Sequence, residues 1–203
     1  MTKLFYQALT FVAVAGALTL AAQGQTNSGQ DNAMGPGSSE GHMAKLSPAD
    51  QKFVKEAAQG GLAEVELGQL AVQKASSDAV KNFGQRMVDD HSKANDKLKE
   101  LASEKGINLP KSPSVMQKAT KERLSKLSGD QFDKAYMSDM LKDHKKDVAA
   151  FRTESSTGQD SDVKNFATQT LPTLREHLKA AESIAPKSTQ AANSSLKPSP
   201  SQP

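Results

Sequence analysis

Three of the four histidines in this chain, His91, His144 and His177, fall on the apolar stripes of three different predicted helices, and a further helix carries Glu64 on its inward face. Neutral imidazoles with one carboxylate form a donor set suited to a single borderline divalent ion such as zinc, copper or iron. Asp90 and Asp147 lie at the margins of the same stripes, where a carboxylate can accept a ring N–H and orient a ligating histidine. A metal-free alternative stands beside this: buried histidines satisfied by backbone carbonyls or carboxylates, with Glu64 paired to a protonated imidazole. The sequence leaves the two readings open.

The elements that must position these residues are helices. Ser47-Pro48-Ala49-Asp50 is a helix start, with a serine to cap, a proline suited to the first turn and an acid after it. The first helix runs through Phe53, Ala57, Gly61, Glu64 and Gly68 to about Ala75. Ser76-Ser77-Asp78 breaks it and caps a second helix that carries Val80, Phe83, Met87, His91 and Leu98 and stops at Gly106, with Pro110 beyond. A weak helix over about 114–127 lies in a long connection. Ser128-Gly129-Asp130 opens a third long helix containing Met137, Leu141, His144 and Val148, which Gly158 ends. The fourth starts near Ser161 and carries Val163, Leu174, His177 and Ile184. Pro172 interrupts it and predicts a kink rather than a break, because the apolar stripe keeps its phase across it.

Four amphipathic helices joined by two tight turns and one long connection predict an all-α, ferritin-like four-helix bundle. The long helix 2–3 crossover contains the short helix and would make its flanking helices parallel. At about 100° per residue, Glu64 faces inward and Glu66 outward, while His91, His144 and His177 lie near the centres of their stripes. At about 1.5 Å of rise per residue, Glu64 and His91 also sit at nearly the same depth from their shared turn.

Composition narrows the function classes. Residues 1–24 carry one basic residue, Lys3, then the apolar run from Ala8 to Ala22, the order of a cleavable signal peptide. Without Lys3 the formal charge falls from +3 to +2, and opposite charges are interspersed. No basic block supports nucleic-acid binding. Zero cysteines exclude disulfides and thiolate chemistry. Residues 25–45 read as a flexible linker and 186–203 as a disordered tail, leaving 46–185 as one domain held by its core alone. Met87, Met137 and Met140 read as core filler, and Gly60-Gly61 and Gly68 as sites of close helix contact.

The ordered set Phe53, Ala57-Ala58, Gly61, Glu64-Val65-Glu66-Leu67-Gly68, then Val80-Lys81, Phe83, Met87-Val88 and Asp90-His91 resembles DUF4142, a family of exported bacterial domains. Phe132-Asp133, Tyr136, Asp143-His144, Leu171-Pro172, Leu174 and His177-Leu178 extend the resemblance over about 50–184. It implies a ferritin-like fold and export to the periplasm or cell envelope, as an outer-membrane-associated protein of no established activity. An envelope partner or self-association is the interaction it leaves room for. Di-iron ferritin-like proteins use Glu-x-x-His pairs, whereas here Val88, Leu141 and Leu174 precede the three histidines by three residues. The expectation is therefore a non-catalytic protein with one core metal or a metal-free network, ahead of a metal-dependent redox enzyme.

Overall fold

The computed structural model describes residues 46–185, and among these every regular element is a helix. The apolar leader, the linker before residue 46 and the tail after 185 lie outside the described residues. Four long helices, α1 (Pro48–Lys74), α2 (Asp78–Glu104), α4 (Gly129–Thr157) and α5 (Ser161–Ile184), are joined by two tight turns and a crossover holding α3 (Val115–Ser125). The expected all-α class holds. None of these helices is long and apolar enough to cross a membrane.

Local chemistry accounts for most of the boundaries. Ser47 caps α1 by accepting the amide of Asp50 at 3.0 Å. The α2 terminus closes as expected of a glycine stop: Gly106 adopts φ 64°, and the Ile107 amide reaches back to the Ala102 carbonyl at 2.7 Å. Ser114 and Gln117 form a reciprocal capping box that starts α3. Pro172 does not break α5, which runs continuously from Ser161 to Ile184.

The long helices pack as two hairpins, α1 with α2 and α4 with α5, joined along the α2–α5 and α1–α4 seams. Carboxylates from one hairpin hold the turn of the other. Asp133, in the first turns of α4, accepts the backbone amides of Ser76 and Ser77 at 3.1 and 2.8 Å. Asp50, near the start of α1, accepts those of Gln159 and Asp160 at 3.3 and 2.9 Å. Helix α2 is thus not capped by Ser77 itself, whose side chain makes no cap bond. The remote Asp133 instead fixes the turn just before the helix, through the amides of Ser76 and Ser77. These contacts put the starts of α2 and α4 at one end of the molecule, so the two run parallel and the crossover spans its length. Leu124, the buried residue of α3, anchors that crossover, and Lys121 pairs with Glu66 of α1 at 2.8 Å.

The α1–α2 seam is close because it is built on small residues. A Cβ at Gly68 would lie 2.6 Å from the Gly84 carbonyl oxygen, and one at Gly84 would lie 2.7 Å from the Ala71 Cβ. Gly68→Ala should therefore lower stability by about 1–3 kcal/mol through overpacking, even though alanine suits a helix better by about 0.5–1 kcal/mol. Urea denaturation measures this, and an unchanged midpoint would mean that the seam opens freely.

Candidate metal centre

The core is not continuous. One apolar cluster gathers Leu67, Phe83, Met87, Phe132, Tyr136 and Met140 with their neighbours, and a second gathers Val54, Leu98, Phe151, Phe166, Leu171 and Leu174 with theirs. Along each long helix the step from one cluster to the other passes through a polar residue: Glu64 on α1, His91 on α2, His144 on α4 and His177 on α5. All four are buried, His144 and His177 completely.

The three imidazoles form a triangle. Ring centroids stand 5.4 Å apart for His91–His177 and His144–His177, and 5.9 Å apart for His91–His144. One donor nitrogen from each lies within 4.8 Å of the other two. Outer hydrogen bonds orient two of the rings. His144 Nδ1–H donates to the Met140 carbonyl one turn back at 2.9 Å. His177 Nε2–H donates to Asp90 Oδ2 at 2.9 Å, and Arg86 braces Asp90 at 3.4 Å while reaching Glu176 at 2.6 Å. These bonds leave His144 Nε2 and His177 Nδ1 as lone-pair nitrogens. Neither has a hydrogen-bond partner, and nor has His91 Nε2.

Electrostatics keep the triangle uncharged. Burial lowers the His91 pKa to about 3, assisted by repulsion from His144 and His177 and opposed by Asp90. Burial and His177 take His144 to about 4, against the pull of the Met140 carbonyl. His177 is also lowered, by burial first, although its bond to Asp90 works the other way. Burial disfavours the Asp90 charge, but the His177 hydrogen bond and Arg86 outweigh it and hold the carboxyl below its usual range. At neutral pH the site presents three neutral imidazoles and one ionised orienting carboxylate.

The carboxylates expected alongside are placed differently from one another. Gly61 packs against Asn95 and Gly68 against Gly84 and Met87, a register that brings Glu64 level with His91 as depth counting predicts. Its oxygens nevertheless stand outside the close-set group of donor nitrogens. Glu64 Oε2 has no partner, and its pKa is raised well above the carboxylate range by burial and then by Asp147 and Asp143. Asp90 does orient an imidazole, that of His177. Asp147 hydrogen-bonds to no histidine; burial and the neighbouring Asp143 push its pKa up to about 7.

Sequence reasoning passed over Tyr136, whose hydroxyl is buried without a partner and whose pKa is raised by burial and then by the Glu64 charge. It also passed over an internal echo. Val80-Lys81-Asn82-Phe83 in α2 recurs as Val163-Lys164-Asn165-Phe166 in α5, and His91-Ser92-Lys93-Ala94 recurs as His177-Leu178-Lys179-Ala180. The second echo is displaced by three residues relative to the first, so the His-x-Lys-Ala match alone, and not one common register, pairs His91 with His177.

Comparison with known proteins places the chain in a family. It belongs to DUF4142, described as a domain of unknown function, which matches residues 36–184. Among solved structures it is similar to a DUF305 fragment from Deinococcus radiodurans, with 16% identity, a TM-score of 0.61, and coverage of 68% of this chain and 96% of that one. It is also similar to a protein of Streptomyces coelicolor described as a "putative secreted protein DUF305", with 12% identity, a TM-score of 0.57, and coverage of 67% of this chain and 91% of that one. At these identities the likeness is one of fold. No curated protein matches the chain.

Removing the orienting carboxylate should carry a definite cost. Asp90→Ala leaves the buried His177 Nε2–H without its acceptor, and an unmet buried donor costs about 1–3 kcal/mol. Chemical denaturation of chelator-treated protein should show a loss in that range, whereas Asp89→Ala, on the exposed neighbour, should shift the midpoint little.

Proposed function

We propose that this chain is an exported, ferritin-like helical protein, without catalytic activity of its own, that holds one divalent metal ion in its core. The donors are His91 Nε2, His144 Nε2 and His177 Nδ1, and the ion is of the zinc, copper or iron class. The observation that carries this reading is the trio of buried, neutral, unpartnered ring nitrogens brought together from three helices. A histidine network serving only to satisfy itself would pair these nitrogens with one another or with Glu64, and none is so paired. Metal–nitrogen bonds of about 2.0–2.1 Å set tetrahedral donors roughly 3.4 Å apart. The triangle, already within 4.8 Å, needs only a modest contraction to reach that spacing. Asp90 supplies the outer support that ligating histidines normally have. Glu64, level with the site, is held in its neutral form by burial and by Asp147 and Asp143, so it adds no charge to the layer.

The single crossover that makes α2 and α4 parallel supports the ferritin-like reading. The basic-then-apolar leader supports export, as does the description of the Streptomyces relative of this fold. A cleavable leader followed by the linker over 25–45 would deliver the domain to the periplasm or cell envelope. Asp147 then belongs to the surroundings of the ion rather than to its ligands.

Metal analysis of untagged protein tests the reading. Zinc or copper should load at about one ion per chain, and a ligand present at ~100 times its Kd should add about 2.7 kcal/mol of stability. His144→Leu should abolish stoichiometric loading and that added stability, while leaving chelated protein close to wild type. Absence of stoichiometric metal, with stability unchanged across a zinc and a copper titration, would sink the proposal. An equal loss in chelated and loaded His144→Leu would favour the metal-free network.

A further inference from the structure

We propose that the cavity beside His91 is a pocket for a small monoanion, which binds there as the fourth ligand of the core metal. This inference rests on the metal reading above. Three protein nitrogens leave a tetrahedral ion one open position, and Glu64 stands outside the group of donors that would close it. Three neutral imidazoles leave only Asp90, already shared with Arg86, to balance a divalent ion in a desolvated layer, which favours an anion over a neutral ligand.

The cavity, of about 200 Å³, is walled by all four long helices and reaches the metal layer at His91. Its polar lining is Asn95, Thr170 and Lys146 with the carboxyl groups of Glu56 and Asp147, and Phe53, Phe151 and Phe166 supply much of the apolar wall. Asn95 lies against α1 because residue 61 is glycine, where a side chain would run into its amide. That amide offers N–H donors to an anion.

Gly60 contributes the decisive detail. The paired glycines Gly60-Gly61 suggest close helix packing, but only Gly61 has a helix neighbour against it. A Cβ built at Gly60, which lines the cavity, meets no atom within 4 Å. Packing therefore does not explain a glycine here, at a position where every other residue but proline would suit the helix better. An open wall beside the cavity does. A second, smaller opening of about 140 Å³ on the α2–α5 side also touches His91 and His177, past Lys93, Lys97 and Thr173. It is the rival route to the same layer.

The test uses the full mature chain loaded with cobalt(II), whose visible absorption reports its ligands, and azide as the probe. Azide should shift the cobalt spectrum saturably in the wild-type protein. Gly60→Leu, which fills the wall with a good helix former, should weaken azide binding at least tenfold while cobalt still loads at one ion per chain. Ala57→Leu, one turn earlier on the same wall, should act alike. Thr173→Leu, confined to the rival opening, should leave azide affinity within about twofold. The pocket is refuted if cobalt loads and azide leaves the spectrum unchanged. It is equally refuted if both wall variants bind azide as the wild type does, or if only Thr173→Leu weakens it. Failure of cobalt to load at all overturns the metal reading itself, and the pocket with it.

Discussion

Desolvation of the polar layer between two apolar clusters is the constraint on which the rest of this structure turns. Every residue in that layer has lost water, and burying a polar group without a partner costs about 1–3 kcal/mol. Two of the three imidazoles recover part of that through Met140 and Asp90. The inward nitrogens recover nothing from the protein, and neither do Glu64 Oε2 and the Tyr136 hydroxyl. A core designed only to be stable would fill these positions with leucine. The fold instead carries a charge-poor, donor-rich slab at its centre, and the apolar clusters above and below must be large enough to hold it shut.

Local rigidity makes that possible. The α1–α2 seam is drawn tight by Gly68 and Gly84, which fixes the depth at which Glu64 and His91 meet. Arg86 ties α2 to α5 across Asp90 and Glu176 beside His177. The site is thus braced from outside the layer, by surface groups whose own contribution to stability is small. Their effect lies in where they hold Asp90, and through it one imidazole ring.

Much of this was legible in the residues because it follows from periodicity. The boundaries of α1, α2, α4 and α5, the inward faces of His91, His144 and His177, and the parallel course of α2 and α4 all derive from spacing and connection length. What was not legible depends on partners distant in sequence. Ser77 has the chemistry of a cap, but its side chain makes no cap bond, and Asp133, 56 residues away, holds the Ser77 amide itself. Asp90 and Asp147 occupy comparable stripe margins, yet only Asp90 faces a ring nitrogen, a difference set by how α2 meets α5. Glu64 has the right angle and depth, but neither coordinate states how far its carboxylate reaches across the layer. Gly60 and Gly61 are adjacent and identical, and only packing distinguishes the one that admits Asn95 from the one that borders empty space.

The reciprocal carboxylate clasps at the two ends, Asp133 on one turn and Asp50 on the other, carry an implication for how the chain is held together. Each turn relies on a carboxylate of the other hairpin for two of its amides, and neither hairpin contains the whole histidine triangle, since His91 belongs to one while His144 and His177 belong to the other. Each half is therefore the template on which the other is completed. The crossover between them is anchored by two buried residues, Pro113 and Leu124, and by Ile107 and Leu109 against the second cluster. It behaves as a tether that raises the local concentration of two complementary pieces more than as a structural wall. A nick in the stretch between α2 and α3 would leave the halves bound to one another, and the metal layer would be the place where they are joined.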